Sequence, residues 1–230
     1  MSGVPFRGTP LRRARVPRPD LVTRMSVGAG MLVRMNDDAF WALIDELSRR
    51  SGDRDERLEW LRAELVRRPV AESVDFQVRL ERACERADTR AMWTAANRIE
   101  GGACTDDGFH YFTLWLVGQG RKAYESVLAD PDALADVPGV RVLVGRHHDE
   151  WDDDEWPEWE ELDYVAQDAY DELTGQEDDD GEEFLDAVEE AEDAAEAAGE
   201  WDEDEEVRGA RPEASALPRL TALFPLSSGS

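Results

Sequence analysis

Asp106, Asp107, His110 and Arg121 are the side chains whose types and proximity could do chemistry, and all lie in GGACTDDGFHYFTLWLVGQGR, residues 101–121. Paired carboxylates divide acid and base roles or hold a divalent cation. Such a site requires the four groups to converge on one concave face with strongly shifted pKa values. A simpler reading competes with it. Thr105 or Asp106 caps a helix and Asp107 occupies its positive end, where carboxylates are favoured. The spacing favours capping. Cys104, beside the same helix start, has the position of a thiol with a lowered pKa. No partner for it is visible in the sequence, and a buried structural thiol is expected.

Other chemical groupings are weaker. An EF-hand loop with Gly108 at its sixth position begins on Ala103, and one with Gly181 there begins on Gln176 and ends on Ala187. Both fail the ligand pattern. Asp152, Asp153 and Asp154 offer loose cation binding of the kind any carboxylate run offers. His147 and His148 are adjacent and are expected to point apart, a geometry that Asp149 and Glu150 do not repair. Nucleophile-elbow, P-loop, dinucleotide-binding and H-E-x-x-H patterns are absent from the sequence. No cofactor and no metal centre are therefore expected.

The elements that must position these residues are helices. NDDAFWALIDELSRR opens on Asn36 as N-cap and places Phe40, Leu43, Ile44 and Leu47 on one face. The next helix carries Leu58, Leu61, Leu65 and Val66 and stops at Pro69. A third spans about 71–87, with Val74, Val78 and Leu80–Ala83 inward. A fourth has Met92, Ala95, Ala96 and Ile99 on its face and ends at Gly101 and Gly102, which supply the left-handed C-terminal position.

The fifth, from about Asp107 to Gln119, is apolar all round. Phe109, Tyr111, Phe112, Leu114, Trp115, Leu116 and Val117 cover every side, as in a helix at the centre of its fold. A pocket formed by Trp93, Tyr111 and Trp115 is the alternative to core packing. Gly120 breaks this helix and RKAYESVLAD continues as a sixth. PDALADVPGV reads as a turn or short helix, and VRVLVG as an apolar piece that a strand would fit. A closing helix is expected from about Pro157 to Gly175.

Charge is distributed unevenly. Residues 149–207 contain 31 Asp or Glu and no Lys or Arg, out of a net charge of −28. This argues against nucleic-acid binding, which needs a clustered basic surface. Residues 1–35 are Arg-rich but have no apolar run of the secretory type. They are expected to form a disordered leader, untranslated if synthesis starts at Met25, Met31 or Met35. No stretch is long and apolar enough to span a membrane. Cys84 and Cys104 are the only cysteines, and free thiols in a reducing cytoplasm are expected. Residues 176–230 are expected to be an acidic low-complexity tail, disordered or transiently helical, ending in the apolar LPRLTALFPL.

The segments MNDDAFWALIDEL, MWTAANRIEGGACTDDGFHYFTLWLVGQGRKAYESVLADPDALADV and ELDYVAQDAYDELTG resemble the bacterial domain-of-unknown-function family 4240 over about residues 35–175. Its central pattern is G-G-x-C-S-D-D-G-F-x-Y-F-x-x-W-L-x-x-x-G-R. It falls here on Gly101, Gly102, Cys104, Asp106, Asp107, Gly108, Phe109, Tyr111, Phe112, Trp115, Leu116, Gly120 and Arg121. Thr105 stands where the pattern has Ser, and Lys122 stands where a larger apolar or acidic residue is frequent. The resemblance implies neither an activity nor catalytic residues.

The expectation is an all-α domain over 36–175, bacterial and cytoplasmic, with six to seven helices. It reads as a non-enzymatic interaction module whose acidic region binds a basic protein, with toxin neutralisation as one form. The alternative is an enzyme, or a ligand- or cation-binding domain, with its site at 104–121. A purely solubilising acidic segment is the third reading.

Overall fold

The computed structural model describes residues 34–175, 181–199 and 217–225. The expected leader, apart from Arg34 and Met35, lies outside the described residues, as do positions 176–180, 200–216 and 226–230. The fold is all-α, and no strand occurs among the described residues.

Local rules set most of the helix ends. In α1 (Asp37–Arg49), the Asn36 side chain accepts from the Ala39 amide. In α2 (Arg54–Val66), Asp53 does the same for Glu56. The following helices are α3 (Val70–Ala87), α4 (Arg90–Ile99), α5 (Asp106–Gly118) and α6 (Arg121–Ala129). At the end of α4, Gly101 and Gly102 adopt φ of +68° and +95°. The Gly102 amide then reaches back to the Asn97 carbonyl at 2.8 Å, closing orphan helix carbonyls.

Two helices share the centre. Every residue of α5 from Phe112 to Gly118 is buried. So is the run Glu72–Val78 of α3, including Glu72, Ser73, Asp75 and Gln77. Burying Asp75 is tolerable because it is paired. It accepts from the Met35 amide at 2.9 Å and pairs with Arg34 at 2.7 Å. Arg79 then holds the Met35 carbonyl at 2.8 Å, clasping the chain entry to α3.

The stretch VRVLVG is not extended: Val140 and Arg141 end a short helix and Val142–Gly145 continue as turns. A 3₁₀ turn at Pro131–Asp136 leads into α7 (Pro138–Arg141). Pro138 presets helical φ at the first position, and Val140 and Leu143 bury completely at i, i+3 spacing.

The closing helix starts later than its proline suggests. Trp159 donates its backbone amide to the Tyr111 carbonyl at 3.0 Å, which pins it against α5. A 3₁₀ turn at Glu160–Asp163 follows, then α8 (Val165–Thr174) and the left-handed Gly175. Helix α8 fills the groove between α2 and α3.

Two segments beyond Gly175 are helical and packed, one within the acidic stretch expected to be disordered or transiently helical and one in the apolar LPRLTALFPL end. Helix α9 (Glu182–Ala197) docks on α3 and α8. Phe184, Val188, Ala191 and Ala195 are buried along one stripe, and Phe184 meets Tyr170 at 5.3 Å. An apolar stripe at i, i+4, i+7, i+11 has enough to bury here despite the surrounding charge. Near the C-terminus, α10 (Pro218–Leu223) settles beside the 131–136 turn and α4. Leu217, Leu220 and Phe224 are buried, and Asp132 accepts from the amides of Arg219 and Leu220.

Candidate functional site

The helix start at 105–108 is a cap. Thr105 Oγ1 accepts from the Gly108 amide at 3.0 Å. Asp106 and Asp107 are exposed in the first turn. They complement the helix dipole there and form no ion pair among the described residues.

His110, one turn on, faces Asp163, with Nε2 at 3.3 Å from the carboxylate. Arg121 stands at the other end of α5, roughly 15 Å of helical rise away. Its backbone amide donates to Asp45 at 2.8 Å, and its guanidinium binds Asp38 and Glu125 at 2.9 and 2.7 Å. Gly120 makes that docking feasible, since a Cβ there would sit 2.9 Å from Asp45 Oδ1 at φ +95°. The structure therefore gathers Asp106, Asp107 and His110 at one end of α5 and leaves Arg121 at the other.

Asp163 raises the pKa of His110 above its ordinary value. Partial burial opposes the shift, and Glu81 and Asp107 add to it. A raised folded-state value means that the contact stabilises the fold fully below about pH 6.5. That contribution is lost as pH climbs through the folded-state value. We expect the His110 ring to titrate above an unperturbed histidine in an NMR series, and Asp163→Asn to bring it back. An unchanged midpoint in that variant would refute the pairing.

Cys104 is half-buried, and its pKa is shifted opposite to the lowering that its place beside the helix start suggested. Burial, with Glu100 beside it, pushes the thiol up to about 12. Cys84 is likewise pushed to about 12, by burial first. Glu100 itself was not legible as special from its position in the sequence. It is 2% exposed, its Oε1 has no hydrogen-bond partner, and burial followed by the nearby Glu158 raises it to about 7.

A cleft of about 380 Å³ opens beside this end of α5, lined by Arg54, Tyr111, Asp153, Trp156, Glu158, Glu160 and Glu161. The Arg54 guanidinium is spent on the backbone, donating to the carbonyls of Asp154, Trp156 and Glu158. Carboxylates and two aromatic rings line the rest. Glu158 lies over the first turn of α5, where a Cβ on Gly108 would come within 3.0 Å of its Oε1. Burial raises its pKa. Glu160 accepts from the Tyr164 hydroxyl at 3.1 Å, and its bond to Tyr111 lifts that phenol to about 12. A second cleft of about 560 Å³ adjoins the first at Glu161 and is lined also by Asp55, Glu59, Arg62 and Asp168.

Trp93, Tyr111 and Trp115 do not share a pocket. Trp93 packs edge-on against Phe109 at 5.0 Å, Trp115 is buried against Phe112, and Tyr111 lines the acidic cleft. Asp152, Asp153 and Asp154 do not converge their oxygens on a common point. The metal-ligand atoms that do converge among the described residues belong to His147, His148 and Asp149. The expected divergence of the two histidines fails because they lie at the start of a 3₁₀ turn, not on a regular helix or strand.

Most of the central motif thus has a packing role: a helix stop, a cap, a core face and a docking arginine. A family model described as "Protein of unknown function (DUF4240)" matches residues 35–172. The chain belongs to the DUF4240 family. The DUF4240 match begins at the clasped Met35 and ends within α8, so α9 and α10 lie beyond it. No curated protein and no solved structure matches the chain.

Proposed function

We propose that this DUF4240 protein is a non-enzymatic interaction module of the bacterial cytoplasm that binds a basic protein partner through its acidic surface. One observation carries the reading. Docking of α9 through Phe184, Val188, Ala191 and Ala195 turns Glu182, Asp186, Glu189, Glu190, Asp193 and Glu196 outward. An acidic run with no Lys or Arg from 149 to 207 thereby becomes, along α9, an ordered anionic face. Such a face steers a cationic partner to it and gives fast, salt-sensitive association.

The two acid-lined clefts suit the basic side chains of such a partner. Tyr111 and Trp156 add faces on which a guanidinium or ammonium stacks. Occupying a cationic surface, as nuclease inhibitors do, is one form of this binding. The free thiols at Cys84 and Cys104 suit a reducing compartment. Among the described residues no helix is long and apolar enough to cross a membrane.

Deleting 149–207 would not test the proposal, since Trp151, Trp159 and Leu162 belong to the core. The test is a charge-neutral α9 (E182Q, D186N, E189Q, E190Q, D193N, E196Q) that keeps the buried stripe. Wild type should recover basic proteins from a lysate at low salt. It should lose them at about 0.5 M salt, where the Debye length is well below 10 Å. The neutral variant should bind the purified partner at least tenfold more weakly. Equal binding by the two proteins would reject the proposal.

A further inference from the structure

His147 and His148 sit on a turn that is held from several directions. Arg146 donates to both carboxylate oxygens of Glu155 at 2.6 and 2.7 Å. The His147 amide donates to Glu150 at 2.9 Å, and the Asp152 amide donates to Glu155 at 2.9 Å. On this support the two imidazoles lean together, with ring centroids 4.1 Å apart.

Both rings reach one carboxylate. His147 Nδ1 lies 3.2 Å from Asp149 Oδ2, and His148 Nε2 lies 3.2 Å from Asp149 Oδ1. One ligand atom from each of the three residues falls within 4.8 Å of the other two.

Those separations match a coordination sphere. Nitrogen and oxygen ligands about 2.0–2.1 Å from a metal stand about 3.0–3.4 Å apart at tetrahedral or octahedral angles. The two imidazole–carboxylate separations have that value but run to different oxygens of Asp149, and His147 Nδ1 also accepts from the Asp149 amide at 3.4 Å. Loading an ion therefore takes a side-chain adjustment that frees this nitrogen and brings the two rings onto a shared centre. On its other side His148 stands over Gly101, where a Cβ would lie 3.8 Å from its Nδ1.

We propose that His147, His148 and Asp149 form a binding site for one divalent first-row transition ion of the zinc, nickel or copper type. Two imidazoles and one carboxylate favour such ions over Mg²⁺ and Ca²⁺, which prefer all-oxygen shells. Three protein ligands leave coordination positions for water or an outside ligand. The site is separate from the acidic face of α9 and does not rest on the partner reading.

The surrounding carboxylates would also attract Zn²⁺ loosely, so the test separates imidazole ligation from that background. The full chain is titrated with ZnCl₂ in millimolar Mg²⁺ and followed by calorimetry and by histidine NMR. The chain has three histidines, and His110, held by Asp163, serves as the internal control.

Saturation at one ion per chain is expected, with the His147 and His148 ring signals shifted and those of His110 unmoved. His147→Ala and His148→Ala should each weaken binding at least tenfold. The copper-loaded wild type should show hyperfine coupling to two nitrogens, and each single variant to one. Stoichiometric binding that survives in the double variant, or ring shifts that Mg²⁺ abolishes, would overturn the proposal.

Discussion

Trp159→Ala is expected to destabilise the domain by about 3–5 kcal/mol, the range for deleting a large aromatic side chain from a core. The indole is 1% exposed and turns the Cε3–Cζ3 edge of its ring onto α5, which presents no side chain at Gly118 to meet it. The Arg57 guanidinium covers the ring at 4.6 Å, with Arg54 at 5.9 Å. Removing the ring therefore opens a cavity and uncovers two partly buried cations. The melting temperature should fall by about 6–20 °C, at about 2–4 °C per kcal/mol for a chain of this size.

Gly118→Ala approaches the same contact from the other side. Its Cβ would stand 2.6 Å from Trp159 Cζ3, so overpacking should cost about 1–3 kcal/mol. In the double variant that second cost should disappear, because the ring it opposes is gone. Additive losses, or a Trp159→Ala melt like that of wild type, would show that residues 157–163 are not packed on α5.

Glu100→Gln is expected to change the shape of the stability–pH curve. A carboxyl titrating near pH 7 in the fold and near 4.5 when unfolded binds more protons in the native state between those values. Stability is then lost as pH rises through that window. The charged form is left buried above it, at a cost on the order of 3 kcal/mol. The glutamine variant should lack this descending limb and be the more stable protein at pH 8, with little advantage at pH 4.5. Parallel urea titrations across that range decide the matter, and superimposable wild-type and variant slopes would refute a neutral buried Glu100.

What sequence patterns reveal here follows the range over which each physical signal acts. Asn36, Thr105, Gly101 and Gly175 work within one helical turn, so caps and stops were readable directly. The faces carrying Phe40, Leu43, Ile44 and Leu47, or Met92, Ala95 and Ile99, were readable from helical periodicity alone.

The remaining features depend on partners far along the chain. Arg54 is set by carbonyls about a hundred residues away, and Arg121 by Asp38 and Asp45. The burial of Glu72 and Asp75 follows from helices closing on both sides of α3. In α9, the apolar spacing of Phe184, Val188, Ala191 and Ala195 was present but outweighed by its acids. Within the motif at 101–121 the four candidate groups divide between opposite ends of α5, because Asp38 and Asp45 fix Arg121 from far earlier in the chain. The cleft beside it draws Trp156, Glu158, Glu160 and Glu161 from the carboxylate-rich stretch and the start of the expected closing helix. The convergence of His147 and His148 needed the tight turn that only the folded chain specifies.

The groove between α2 and α3 is filled by α8, and Arg54 fastens onto a carbonyl 104 residues further along. This arrangement has a consequence in time. A ribosome adding about 5–20 residues per second needs roughly five to twenty seconds to carry synthesis from the first of these elements to the last. Through that interval Leu61, Leu65 and the α8-facing side of α3 have no native cover. The nascent chain therefore carries uncovered apolar surface, and the aggregation hazard that goes with it, until α8 emerges.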